Sequence, residues 1–247
     1  MMLKETDFIY PDWPAPANVK ALQTTRAGGL SRAPYDSLNL GTHVADVAHI
    51  VAANRLRLSP FLPAEPVWLN QVHGVHVIDA SNANGLPEAD AAYSKKSGIV
   101  CTVMTADCLP VLLCDEAGTV VAAAHAGWRG LCQGVLGATV IAMHTPPEKL
   151  MAWLGPAIGA HVFEVGNEVR SAFIAQDEQA AQAFTAAPNN KWLMNIYQLA
   201  RQRLKVAGIA HVYGGNFCTY TDKSRFFSYR RDGLTGRMAS MIWLNSK

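Results

Sequence analysis

Charge is scarce in this chain. Only 16% of its 247 residues are Asp, Glu, Lys or Arg, and 21 basic against 19 acidic side chains leave a net charge of +2. The basic residues are scattered, with no stripe interleaved with aromatics, so no nucleic acid partner is expected. Cysteine is also sparse. There are five, at Cys101, Cys108, Cys114, Cys132 and Cys218, an odd number without a C-x-x-C pair. That argues against a disulfide framework and makes a reducing cytoplasm the expected compartment. The longest apolar stretch, 98–114, is interrupted by Thr105, Asp107 and Pro110. It is too short and too polar to span a bilayer, so no membrane partner is expected. Residues 1–7 lack a basic segment followed by an apolar one, so no secretory signal is expected. There is no G-x-x-x-x-G-K-[ST], no strand–G-x-G-x-x-G–helix and no G-x-S-x-G. The zinc-deaminase signature, H-x-E with P-C-x-x-C, is missing as well. The usual nucleotide folds are therefore unsupported.

What the chain does have is apolar bulk. Half its residues are hydrophobic, enough to bury a sizeable core, and its length fits one domain spanning 1–247. Up to residue 16 it reads as an extended arm. Strands are predicted at 19–25, 67–69, 75–78, 99–104, 111–114, 119–124, 151–154, 211–213, 226–230 and 237–243. Helices are predicted at 46–58, with Asp46 as cap, at 128–144, stopped by Pro146 and Pro147, at 164–176, and at 192–206, ended by Gly208. Interspersed helices and strands without a repeat or linker indicate an α/β or α+β domain.

Several predicted strands end in polar, glycine-containing loops: Q-V-H-G, T-A-D-C and H-A-G-W-R-G. Glycine lets backbone approach a ligand closely, and loops at strand ends are common functional positions. His73 and His125 offer imidazole nitrogens and Cys108 a thiolate. Two His and one Cys would leave one position of a tetrahedral Zn²⁺ open, the arrangement of a catalytic site. The spacing lacks a local ligand signature, and each residue taken alone reads more readily as a satisfied core residue than as a ligand. His76, three residues from His73 on a strand-like segment, faces away and is a surface or core histidine. Cys101, Cys114 and Cys132 belong to apolar runs and the core. Arg26, Arg129 and Arg230 lie beside glycines or turns and can grip an anion through a planar guanidinium fork; a surface ion pair is the alternative.

The blocks N-Q-V-H-G at 70–74, T-A-D-C-L-P at 105–110, H-A-G-W-R-G at 125–130, G-P-A-I-G at 155–159, F-E-V-G at 163–166 and F-F-S-Y-R-R-D-G at 226–233 resemble the YfiH family. Its members are also labelled laccase-domain or polyphenol oxidase proteins. R-A-G-G-L-S at 26–31 and L-N-L-G at 38–41 match too, so the resemblance spans nearly the whole chain. It implies a single layered α/β/β/α domain, similar to the catalytic domain of cytotoxic necrotizing factor toxins. It also implies a metal site, usually described with zinc, whose ligands correspond to His73, Cys108 and His125.

The activity the resemblance implies is purine nucleoside phosphorolysis of adenosine, inosine and methylthioadenosine, with adenosine deamination. A nucleoside and phosphate would then be the partners. Arg26, or else Arg129 or Arg230, would hold phosphate, with Gln71 beside the substrate. Asp107 would orient a hydroxyl or a water at the metal. In a second reading Cys108 is the nucleophile of an amide hydrolase that removes misincorporated serine from peptidoglycan precursors, with a neighbouring His as base. In a third the same ligands bind Cu²⁺ and act as a polyphenol oxidase. True laccase chemistry needs a mononuclear site and a histidine-rich trinuclear cluster, and the eight histidines include no H-x-H pair.

Overall fold

The computed structural model describes residues 3–246. In chain order the strands and helices are β1 (Phe8–Ile9), β2 (Val19–Thr24), α1 (Ala48–Leu56), β3 (Val77–Asp79), β4 (Ala91–Ser94), β5 (Cys101–Thr105), β6 (Leu109–Asp115), β7 (Val121–Ala126), α2 (Trp128–Gln133), α3 (Val135–Ala142), β8 (Leu150–Leu154), β9 (Glu164–Val165), α4 (Asn167–Ile174), β10 (Phe184–Ala187), β11 (Lys191–Met194), α5 (Ile196–Val206), β12 (His211–Gly214), α6 (Tyr229–Asp232) and β13 (Met238–Leu244). Among the described residues no helix is long and apolar enough to cross a membrane.

Two sheets stack face to face. One is a mixed six-stranded sheet in the order β12-β8-β6-β7-β4-β3, and the other an antiparallel four-stranded sheet, β1-β2-β13-β5. Strand residues alternate between the two faces. Leu112, Cys114, Val121 and Ala123 therefore meet Cys101, Val103, Ile242 and Leu244 between the sheets. Their neighbours Val111, Leu113, Ala122 and Ala124 pack outward against Leu131, Leu136, Val140, Leu199 and Leu204 of α2, α3 and α5. Covered on both faces, β5 to β8 are buried at every position, which explains their continuous apolar runs. The outer face of the smaller sheet, through Leu22, Met104, Ala239 and Met241, is covered by Leu38, Leu40, Leu58 and Trp68. The molecule is a mixed α/β fold with two central sheets, as the resemblance implies.

Several local expectations are corrected. The segment 128–144 is two helices, because Gly134 sits at φ 102° between them. The predicted helices at 164–176 and 192–206 each begin with a strand. β9 pairs with β11, and β11 pairs with β10 across a turn where Asn189 and Asn190 adopt φ 58° and 57°. α5 starts only after Asn195, whose side chain accepts the Gln198 amide at 3.0 Å. The segment 226–230 is not a strand. Phe226 and Phe227 are buried against Ala106 and Met238, and Ser228 then caps α6. Residues 67–69 form only an isolated bridge, Val67 to Cys101. Asp46 does not cap α1; its carboxylate instead accepts from Ser31 Oγ at 2.7 Å and Asn39 Nδ2 at 2.9 Å.

Candidate active site

At one end of the sandwich three chain segments meet. His125 is near the end of β7, where alternation turns its side chain to the same side as Val121 and Ala123. Cys108 follows the tight connection between β5 and β6, in which Asp107 adopts φ 90°. His73 lies in the loop before β3 with φ 62°, a conformation rare outside glycine. Their ligand atoms all fall within 4.8 Å of one another. Cys108 Sγ is 3.8 Å from His73 Nε2, and the two imidazole centroids are 4.8 Å apart. In a tetrahedral zinc site sulfur and nitrogen ligands sit about 3.5 Å apart, so the Cys108–His73 separation is already close to that of a metal site. His125 is almost wholly buried, Cys108 is half-buried and His73 exposed, which leaves one side of the group open.

Glycines make this approach possible. A Cβ on Gly127 would lie 2.8 Å from His73 Cδ2 and 3.1 Å from Cys108 Sγ. One on Gly130 would lie 2.7 Å from the Gly74 carbonyl oxygen. The two glycines of H-A-G-W-R-G therefore admit the other two ligand loops.

Asp90, which sequence reasoning passed over, binds the site together. It is fully buried immediately before β4, the strand that pairs with β7. Its Oδ1 lies 2.7 Å from His125 Nδ1 and accepts the His73 amide at 3.0 Å. Its Oδ2 accepts the amides of Gly74 at 2.6 Å and Val72 at 3.2 Å. With Nδ1 engaged, His125 keeps Nε2 for the shared point, as in carboxylate–histidine–metal arrangements. The alanine-flanked run A-D-A-A is the sequence signal that could have found it, since a carboxylate buried in an apolar run must be paired.

Electrostatics couple these groups. Burial pushes the Cys108 thiol up, but the charge of His125 and hydrogen bonds from His125 and His73 outweigh it and bring the thiol down to about 6. Burial pulls the His125 imidazole down, while Cys108 and Asp90 raise it above the usual histidine range. Both shifts favour the charged pair, a thiolate beside an imidazolium. Cys101 and Cys114 are shifted the other way, upward, first by burial.

The three residues line a cavity of about 440 Å³ with His43, Gln71, Met104, Asp107, Trp128, Ile158, Phe163, Tyr229, Arg230 and Arg237, a usual size for small-molecule sites. Gln71 is on its wall, with both ends of its amide on the Met104 backbone at 2.9 and 2.7 Å. Arg230 is on the wall as well. Asp107 lines it but accepts from Thr219 Oγ1 at 2.5 Å, Ser228 Oγ at 3.0 Å and the Arg230 amide at 2.7 Å. Its carboxylate thus ties loops together, with one bond on Oδ1 and two on Oδ2.

Arg26 is outside the cavity. Its guanidinium bonds the Asp36 carbonyl and carboxylate and the Lys223 carbonyl, and stacks on Phe227. Arg129 is exposed, over Trp128, and also outside. The surface ion pair is thus the reading that fits Arg26. His76 is exposed, bonded to the Glu88 carbonyl. Arg237 and His43 are cavity residues that sequence reasoning missed; neither carried a local motif beyond its loop.

A family model described as multi-copper polyphenol oxidoreductase laccase matches residues 20–245. The chain is 55% identical to a purine nucleoside phosphorylase of Pseudomonas aeruginosa, over 96% of this chain and 98% of that protein. It is 56% identical to the Escherichia coli purine nucleoside phosphorylase YfiH, with the same two coverages. Among solved structures, a Neisseria meningitidis protein superposes with a TM-score of 0.94 at 53% identity, covering 97% of this chain and all (100%) of that one. YlmD from Geobacillus stearothermophilus superposes at 0.92 with 28% identity, covering 99% and 98%.

Proposed function

The chain belongs to the multi-copper polyphenol oxidoreductase laccase family, and from that membership and the site we propose a zinc-dependent purine nucleoside phosphorylase that also deaminates adenosine. Adenosine, inosine and methylthioadenosine are the substrates. The observation that carries this reading is the convergence of His73, Cys108 and His125 on the wall of a cavity of nucleoside size. The names of the Pseudomonas and Escherichia relatives support the same chemistry. Five unpaired cysteines suit a reducing cytoplasm.

In phosphorolysis a phosphate oxygen bonds to C1′ of the ribose while the C1′–N9 bond breaks. The bond's electrons leave with the purine, which takes up a proton, and ribose 1-phosphate is the other product. In deamination water adds at C6 of adenine and ammonia leaves, giving inosine. His73, Cys108 and His125 would hold a zinc ion, which would supply Lewis acidity and the means to lower the pKa of water to about 7. The chain's own residues do the rest. Ile158, Phe163 and Trp128 offer the purine an apolar wall that excludes water. Asp90 holds the tautomer of His125, and Gln71 fixes the ligand loop to the Met104 backbone.

A second reading is favoured by one observation. Asp90, His125 and Cys108 also form an acid–base–thiolate series, the arrangement of a cysteine nucleophile acting on an amide such as a misplaced serine linkage. The copper oxidase reading draws less support: the described residues offer one three-ligand group, where laccase chemistry needs further copper sites. The test is to incubate the zinc-loaded protein with adenosine, with and without phosphate, before and after chelation. Phosphate-dependent release of adenine or hypoxanthine, lost on chelation, is expected. Base release indifferent to phosphate would refute the phosphorylase reading, and amide hydrolysis surviving chelation would install the cysteine reading in its place.

A further inference from the structure

The cavity has a charge imbalance that the metal group does not explain. Apart from histidines, its cationic side chains are Arg230 and Arg237. Among the described residues neither forms an ion pair, whereas Arg26, Arg225 and Arg231 each have an aspartate. The carboxylate on the same wall, Asp107, is occupied by Thr219, Ser228 and the Arg230 backbone.

Each guanidinium is held through Nη1 and keeps its other donors. Arg237 gives Nη1 to the carbonyls of Thr235 and Gly236 at 3.0 and 3.1 Å. Arg230 gives Nη1 to the Glu164 carbonyl at 2.8 Å, over the Phe163 ring. In each, Nε and Nη2 have no hydrogen-bond partner among the described residues. These are the donors with which guanidinium grips an oxyanion.

The surrounding motifs serve to place these two side chains. In L-N-L-G, the Asn39 side chain accepts the Arg237 amide at 2.9 Å, and a Cβ on Gly41 would lie 2.8 Å from Arg237 Cγ. In T-A-D-C and F-F-S-Y-R-R-D-G, Asp107 takes the Arg230 amide. Thr105 pairs across the sheet with Met238, the residue after Arg237, and its buried hydroxyl lines the same cavity without a hydrogen-bond partner. His43, beside Arg237, is kept toward its neutral form by burial and by the charges of Arg237 and Arg55.

We propose that Arg237 and Arg230 together form the oxyanion subsite of this cavity and bind inorganic phosphate, in the role that the sequence assigned first to Arg26. That the anion is phosphate rests on the phosphorylase reading; that an anion binds rests on the two unpaired guanidiniums.

The experiment titrates the zinc-loaded protein with inorganic phosphate by calorimetry, and separately measures phosphorolysis of inosine. The variants are Arg237→Met, Arg237→Lys, Arg230→Met and, as control, Arg26→Met, with folding checked by circular dichroism. Loss of charge-assisted hydrogen bonds should weaken phosphate binding and raise the phosphate KM by about tenfold or more in Arg237→Met and Arg230→Met. The inosine KM should move by less than about threefold, Arg237→Lys should fall between, and Arg26→Met should match the parent. Wild-type phosphate affinity in folded Arg237→Met and Arg230→Met, or no phosphate binding by the parent, would overturn the inference. If phosphorolysis persists with a phosphate KM indifferent to both arginines, the subsite falls and the phosphorylase reading stands. If phosphate binding depends on both arginines but no ribose 1-phosphate forms, the subsite stands and the phosphorylase reading falls.

Discussion

Oδ1 of Asp90 lies 2.7 Å from Nδ1 of His125, and the same carboxylate takes the backbone amides of residues 72 to 74. One side chain thus orients an imidazole on β7 and fixes the loop that carries the other imidazole. Asp90→Asn keeps the shape but loses the charge and one acceptor. Partners of metal-bound histidines are typically worth 10- to 100-fold in affinity, so zinc affinity, measured by chelator competition, should fall by about that factor. Affinity equal to the parent's would mean that Asp90 does not position the ligands.

The same contact predicts a pH effect on stability. Burial raises the Asp90 carboxyl, but bonds from His125 and the Gly74 amide, the His125 charge and the Val72 amide win and hold it below the usual carboxylate range. A lowered folded pKa stabilises above the unfolded value of about 4, and that contribution is lost as pH falls through the lower folded value. Between about pH 4 and that value the metal-free parent should lose stability with acid more steeply than metal-free Asp90→Asn, as read by urea unfolding at each pH. Parallel acid limbs would contradict it.

With the thiol down at about 6, metal-free protein should be alkylated by iodoacetamide at Cys108 with a midpoint near that pH. An ordinary thiol has its midpoint near about 8.5. Below the midpoint Cys108 is protonated and the rate falls; above it the rate levels off. A Cys218→Ala background removes the other half-buried thiol. Zinc should protect, and His125→Ala should move the midpoint upward because the neighbouring positive charge is gone. A midpoint that stays near 6 in His125→Ala would assign the shift to another cause.

Much of this centre was legible in the chain, because its ligands sit in loops whose composition departs from their surroundings. Q-V-H-G, T-A-D-C and H-A-G-W-R-G interrupt apolar strands with polar and small residues, and all three meet. The buried strands β5 to β8 were legible for the same reason, as apolar runs too short for helices. Asp90 was legible only as a lone carboxylate in the apolar run A-D-A-A, which records that it must be paired but not which amides and imidazole pair it. Arg237 was obscured because its place depends on Asn39 and Gly41, nearly two hundred residues away in the chain. That Arg26 lies outside the cavity was not legible, because a glycine-flanked arginine looks alike whether it faces a cavity or an aspartate. β9 and β11 were taken into helices because a two- or four-residue strand has too few positions to show period two.

Gly127 tests whether close approach, and not backbone freedom, sets the ligand distances. Its φ of −62° suits any residue, so Gly127→Ala adds only a methyl group, 2.8 Å from the His73 ring and 3.1 Å from Cys108 Sγ. Metal content should drop well below the parent's while the melting temperature of the metal-free protein changes little. Full zinc occupancy in Gly127→Ala would show that the ligand loops tolerate a wider spacing than this geometry requires.

Asp107 separates a chemical role from a structural one. Its carboxylate joins Thr219, Ser228 and the Arg230 backbone. Asp107→Ala strands three donors and should cost about 2–4 kcal/mol of stability. It should also raise the phosphate KM, because Arg230 loses its anchor. Asp107→Asn, which keeps an acceptor on the same shape, should recover part of both. If instead Asp107 exchanged protons with substrate, Asp107→Asn would abolish turnover and erase one limb of the kcat–pH profile while leaving the phosphate KM in place. Oδ2 already accepts two hydrogen bonds and Oδ1 one, all from loop donors that position Arg230, so the expected signature is a KM effect with both limbs intact.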